Sequence, residues 1–212
     1  MKDINRVMLT GTIVGMRSTT KSVDMFIATD GGSARGRKEM TSSFPSVSFS
    51  NTKEAGSFKV GDRVSIQGHI HCRLIPTEEG KRLHILTIQG DVIKRTKRML
   101  AEYVDVEPVY EGGFPDDKNL VVAVGTVERL YISPNGQYAA VTLTAERKSG
   151  KDYITAFAFR RQAEAAKDLK EGDKVAIAGA IRNITSKNSD SRDRQSFLIL
   201  DIAKLEDKDS ED

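Results

Sequence analysis

The chain has 212 residues, 38% hydrophobic and 30% charged, with a formal net charge of +3. That is a globular composition with room for about two small domains, each too short for elaborate insertions. No apolar run approaches the roughly 20 residues that cross a bilayer, the N-terminus lacks a secretory pattern, and the single cysteine, Cys72, leaves no internal disulfide. No membrane contact and a reducing, cytoplasmic setting are therefore expected.

In chain order, strands are predicted over 4–16, 23–29 and 44–50. A weak turn of helix near 51–58 follows, interrupted by Gly56, and then strands over 63–73 and 83–94. Residues 95–118 read as a linker, basic at Arg95, Lys97 and Arg98 and acidic at Glu102, Asp105 and Glu107. Pro108, Gly112, Gly113 and Pro115 argue against a long helix there. A strand over 119–131 is rich in β-branched residues, and Gly125 within it marks a bend or bulge. Ser133-Pro134-Asn135-Gly136 is a turn. Residues 138–146 alternate, with Val141, Leu143 and Ala145 on one side and Tyr138, Thr142 and Thr144 on the other. A third strand covers 152–160. Arg161–Leu169 is alanine-rich and predicts a short helix that Gly172 stops. Strands over 174–183 and 195–205 flank a polar loop, 185–194.

The chain says nearly the same thing twice. Asn5–Val14 matches Asn119–Glu128, Val60–Ile70 matches Glu171–Ile181, and Leu83–Leu86 matches Phe197–Leu200. The order is kept and the offset lies between 111 and 114 residues, too long for a solenoid period, so a domain has been duplicated. Three strands, a short helix and two strands are the element order of the OB-fold, a five-stranded barrel. The expected class is all-β with short helices: an OB-fold barrel over 1–94, a linker over 95–118, a second barrel over 119–205 and an acidic tail over 206–212. Residues 1–106 hold 17 Lys and Arg against 11 Asp and Glu, and the remainder holds 16 against 19. A basic body with an acidic end recurs among nucleic-acid binders.

The segment Asp152–Glu164 is the most specific. Strand alternation separates Ile154, Ala156 and Ala158, suited to a tight barrel interior, from Tyr153, Thr155, Phe157 and Phe159. Three aromatics on the outer face, followed by Arg160 and Arg161, are what a stacking platform for unpaired bases requires. The competing reading is that some of these rings, Phe157 first, cover the short helix or a partner subunit.

This stretch resembles the bacterial single-stranded-DNA-binding protein family, as a tandem OB-fold variant. The resemblance rests on Asn5-Arg6-Val7 through Gly11, on Ser133–Gln137, on the aromatic-bounded strand leading to Ala163-Glu164, and on Glu171–Gly179. It covers 119–205 well and 4–94 more loosely. It implies base stacking on Tyr153 and Phe159, two further family aromatics being absent near Lys148 and near Ile184–Lys187. In the first copy, aligning Glu54 with Glu164 puts Phe49 on Phe159, Val47 on Phe157 and Ser43 on Tyr153, which leaves Phe49 and Phe26 as stacking candidates. That copy is expected to contribute mostly charge, through Arg35, Arg37 and Lys38 in the loop Asp30–Lys38 and through Lys81 and Arg82. Lys148, Arg160 and Arg161 would neutralise phosphates in the second. The tail ends Asp209-Ser210-Glu211-Asp212, without the apolar tip through which the family recruits replication and repair proteins.

The resulting expectation is sequence-independent binding of single-stranded DNA in replication, recombination or repair, with no catalytic role, no cofactor and a homodimer implied by two OB units per chain. RNA binding, or an adaptor role in a replication or conjugation complex, stands as the alternative. His69, His71 and Cys72 lack a second ligand pair at zinc spacing, so no metal is expected.

Overall fold

The computed structural model describes residues 2–30, 42–76, 82–96, 117–147, 150–184 and 194–206. Its strands are β1 (Ile4–Ser18), β2 (Val23–Asp30), β3 (Ser42–Ser43), β4 (Ser46–Phe49), β5 (Arg63–Pro76), β6 (Arg82–Arg95), β7 (Asn119–Ile132), β8 (Tyr138–Arg147), β9 (Gly150–Phe159), β10 (Lys174–Ile184) and β11 (Arg194–Lys204). Two short helices, α1 (Thr52–Ala55) and α2 (Arg161–Ala165), complete the set. Every expected strand and both helices are present, with ends shifted by a few residues.

Each copy closes on itself. In the first, β1 pairs β2, β2 pairs β4, β4 runs parallel to β6, β6 pairs β5, and β5 returns to β1. In the second, β7, β8, β9, β11 and β10 repeat that circuit, again with one parallel contact, between β9 and β11. Both are five-stranded OB barrels. Closing so small a barrel demands sharp bends in the first and fourth strands, and glycine supplies them where a side chain would collide. A Cβ on Gly125 would lie 2.4 Å from the Thr144 carbonyl oxygen, and one on Gly11 would lie 2.2 Å from that of Ala28. Gly179 and Gly68 stand in the same relation to Leu198 and Gln89, at 2.0 and 2.3 Å. Bulges recur at equivalent points. Val14 and Glu128 are the extra residues against the second strands, and Asp91 and Leu200 are the extra residues against the fourth.

These registers correct two expectations. The counterpart of Phe197–Leu200 is Ile88–Asp91, not Leu83–Leu86, since Gly68 opposes Gly90 as Gly179 opposes Ile199. In the third strand, Val47 opposes Ile88 as Ala156 opposes Phe197, so Phe49 is equivalent to Ala158 rather than to Phe159. Phe49 therefore points inward and is 3% exposed, and it is no stacking candidate. Its bulk is matched by the missing side chain of Gly90, where a Cβ would come within 2.2 Å of the ring. In the second barrel the small and large positions are exchanged, Ala158 and Ile199 both being buried. Volume is conserved and its distribution is not. The expected inward set, Val141, Leu143, Ala145, Ile154, Ala156 and Ala158, is buried as alternation requires, and Ala163 and Ala166 of the helical segment pack beneath it.

The barrels are joined through their first strands. β1 and β7 run antiparallel from Ile4 opposite Val124 to Leu9 opposite Asn119, with Val7 opposite Val121 at the centre of a local pseudo-twofold. Asn5 and Asn119 are equivalent about it. The Asn5 side chain donates to the Ile70 carbonyl at 2.8 Å and accepts from the Ile70 amide at 2.9 Å. Asn119 makes the same pair of bonds with Ile181, at the same distances. An ion pair crosses the seam on each side: Lys174 with Asp3, and Arg63 with Asp117. The Asp117 carboxylate has no solvent exposure. The flanks are polar. Asp152 accepts from Asn5 Nδ2 at 3.0 Å, with Arg147 Nη2 at 3.3 Å and His71 Nδ1 at 3.7 Å from its other oxygen. Asn183 binds the Phe44 amide at 2.7 Å and carbonyl at 3.3 Å. Cys72 lies against the Thr155 amide, and burial pushes its thiol above the ordinary value, with Asp152 adding and the amide opposing.

Replacing Phe49 by Ala should cost about 3–5 kcal/mol of stability, the usual loss for a buried ring, read by denaturant unfolding. A second expectation concerns acid. Burial pushes the Asp3 carboxyl up, but hydrogen bonds from the Glu146 amide and Lys174 outweigh it, so the carboxyl is held below the ordinary value. A depressed folded value gives stability that is present at neutral pH and is lost as pH falls below about 4 and through the folded value. Asp3→Asn should flatten the acid limb of the unfolding midpoint; an unchanged limb would show that Asp3 contributes nothing.

Candidate nucleic-acid interface

The outer face of β8 and β9 carries the aromatic residues. The register sets Tyr138 opposite Phe159, Ala140 opposite Phe157, Thr142 opposite Thr155 and Thr144 opposite Tyr153. Period-two alternation then puts Tyr138, Phe157 and Phe159 side by side. The Tyr138 ring lies 5.3 Å from Phe159, tilted 54°, and 6.0 Å from Phe157 at 20°, while Tyr131 stands 6.1 Å from Tyr138. The Thr142 and Thr155 hydroxyls, 3.1 Å apart, separate this cluster from Tyr153. Tyr131, Tyr153 and Phe159 are 52%, 47% and 44% exposed, and Phe157 is half-buried beside Tyr138.

Tyr138 and Tyr131 were not among the expected site residues. The signal for Tyr138 was available, since alternation already put it on the face of Thr142 and Thr144. Tyr131 is different: the bulge at Glu128 shifts the alternation, so that Leu130 packs inward and Tyr131 faces out opposite Ala140. Counting along the strand without the bulge gives the wrong side.

Arg160 and Arg161 follow Phe159 directly and are exposed. The Arg160 amide donates to the Gln137 carbonyl at 2.8 Å, tying the end of β9 to the 133–137 turn. That turn is organised by side chains: Ser133 Oγ lies 2.7 Å from Asn135 Oδ1 and accepts from the Tyr138 amide at 3.0 Å. Asn135 Oδ1 also accepts from the Gln137 amide at 3.2 Å. Lys148, Arg35, Arg37, Lys38 and Lys81 lie outside the described residues.

The first barrel presents a different face. With the third strands in their observed register, Ser46, Ser48 and Ser50 occupy the positions of Thr155, Phe157 and Phe159, and Phe44 rather than Ser43 occupies that of Tyr153. Phe26, opposite Ser46, stands where Thr142 stands in the second barrel and is 45% exposed. Among the described residues, Phe26 and the half-buried Phe44 are therefore the rings on that side. A cleft between α1 and the fourth and fifth strands is lined by Ser50, Asn51, Glu54, His69, Gln89 and Asp91, with His69 Nδ1 3.1 Å from Asp91 Oδ2. Among the described residues no group of three or more His, Cys, Asp or Glu could hold a metal ion, and no helix is long and apolar enough to cross a membrane.

No protein family matches the chain by its sequence profile, and no curated protein matches it. Solved structures do. The chain is similar in fold to a deletion variant of the single-stranded DNA binding protein from Thermus aquaticus, at a TM-score of 0.70 and 18% identity over 100% of this chain and 99% of that one. The wild-type form of that protein gives 0.69 and 17%, over 100% and 98%. At these identities the likeness is one of fold, and it spans both barrels.

Burial, and the neighbouring Tyr131 hydroxyl after it, raise the Tyr138 phenol above the ordinary tyrosine value. Spectroscopic titration should accordingly include a phenol that ionises above the ordinary tyrosine value of about 10, and Tyr138→Phe should remove that step. A titration unaffected by the substitution would disprove the placement.

Proposed function

We propose that the chain binds single-stranded DNA without reading its sequence, laying bases on the rings of the second barrel and neutralising phosphates with the arginines at their end. The observation that carries this reading is the continuous cluster of Tyr131, Tyr138, Phe157 and Phe159 on one sheet face, with Arg160 and Arg161 beside it. Large exposed rings in contact with one another are unusual on a free surface. π faces bordered by guanidinium groups suit any base and any phosphate, which favours stacking over hydrogen-bond readout. The shared fold with a single-stranded DNA binding protein supports the same reading.

In this proposal the second barrel supplies most of the stacking, and the first supplies Phe26 and the cations Arg35, Arg37 and Lys38. Two OB units per chain suit a homodimer, with replication, recombination or repair as the setting. Oligothymidine affinity measured against salt tests the core of the proposal. Binding should weaken steeply as salt rises, because displaced counterions drive it. Tyr153→Ala and Phe159→Ala should each weaken it by about 1–3 kcal/mol. Tighter binding of oligouridine would move the function to RNA, and no binding of either would leave the aromatic face to a protein partner.

A further inference from the structure

Among the described residues, Arg160 is the one non-glycine residue with a positive φ, at 51° with ψ −115°. That region favours glycine and costs a side-chain-bearing residue stability. The conformation is locked on both sides: the Arg160 amide is bound to Gln137 at 2.8 Å, and its carbonyl accepts from the Glu164 amide at 3.0 Å. Arg160 is also the N-cap of α2 and makes no side-chain cap hydrogen bond. The first barrel provides the comparison. There the equivalent cap is Asn51, at φ −80°, whose side chain accepts from the Glu54 amide at 3.3 Å. One copy of the duplicated fold has an unstrained, satisfied cap. The other carries an arginine that forgoes both.

We propose that this strain is retained because the Arg160 guanidinium binds the phosphate of the nucleotide whose base stacks on Phe159 and Tyr138. The inference rests on the single-stranded DNA reading and assigns the phosphate within it. Asn135, Gly136, Gln137, Arg160, Arg161 and Glu164 line a shallow depression at the end of the ring cluster. Its one carboxylate is already engaged, Glu164 Oε2 lying 2.6 Å from Lys167 Nζ. Lys167 also packs against the turn, where a Cβ on Gly136 would come within 2.9 Å of its Nζ. Among the described residues no carboxylate pairs with Arg160 or Arg161, so both guanidinium groups remain available to an anion. The backbone conformation fixes where the Arg160 side chain leaves the chain, one residue beyond the Phe159 ring. A charge-assisted hydrogen bond to phosphate suits that place.

The test uses the full chain, with Arg160→Gly and Arg160→Lys, in thermal unfolding of the free protein and in oligothymidine binding over a salt series. Arg160→Gly should raise the unfolding midpoint by relieving the strain, weaken binding on the order of tenfold, and reduce the salt slope by about 0.7, the contribution of one phosphate on a single strand. Arg160→Lys should keep the slope without raising the midpoint. Wild-type affinity and slope in Arg160→Gly, or a lowered midpoint, would overturn the inference while leaving single-stranded DNA binding intact. A wild-type chain that fails to bind oligothymidine would overturn both.

Discussion

The shared ladder of β1 and β7 is the constraint on which the rest of the molecule depends. A strand inside one barrel has neighbours on both sides, and here the first half of each first strand finds one of them in the other barrel. Main-chain hydrogen bonds fix this register to the residue, because a slip of one would turn every buried side chain outward. Val7 opposite Val121 sets the pseudo-twofold, and the asparagine clamps and crossed ion pairs then fall into equivalent places around it. None of these polar contacts would be strong alone. An exposed pair contributes little, but the Asp117 carboxylate is out of solvent, and breaking such a pair by removing one partner is expensive.

Duplication gives each position of the fold a second solution, and the differences are informative. Where both copies must bend they use glycine, and the two loops before the fourth strands both have aspartates, Asp62 and Asp173, that cap the turn and pair with a cation of the fifth strand. Where the copies face outward they diverge, serines in one standing for rings in the other. Packing holds the interior in common, while the outer face is free to specialise.

Much of this was legible in the sequence. The duplication, the order of strands and helix and the inward set of β8 and β9 follow from motif spacing and alternation, which act over a few residues. Tyr153 and Phe159 are on the surface where alternation puts them, and the candidate Phe26 is exposed as well. What failed was register between copies. Matching Phe49 to Phe159 through Glu54 and Glu164 fails because Glu54 is the third residue of its helix and Glu164 the fourth, and one residue in a strand exchanges inside for outside. Tyr131 lies beyond the bulge at Glu128, which resets the alternation along β7, so a simple count does not place it. Gly90 was the available clue to Phe49, since a large residue facing a missing side chain is a packing pair that alternation does not detect.

The position of Cys72 at the seam has a practical consequence. The thiolate is the form that reacts with alkylating reagents, and here burial and the neighbouring Asp152 keep the sulfur protonated. The shielding comes from both barrels, since Thr155 and Asp152 belong to the second and Cys72 to the first. Any opening of the seam would wet the sulfur and release it from the carboxylate. With one cysteine in the chain, alkylation kinetics at a single natural atom would follow separation of the two barrels without a label having to be introduced.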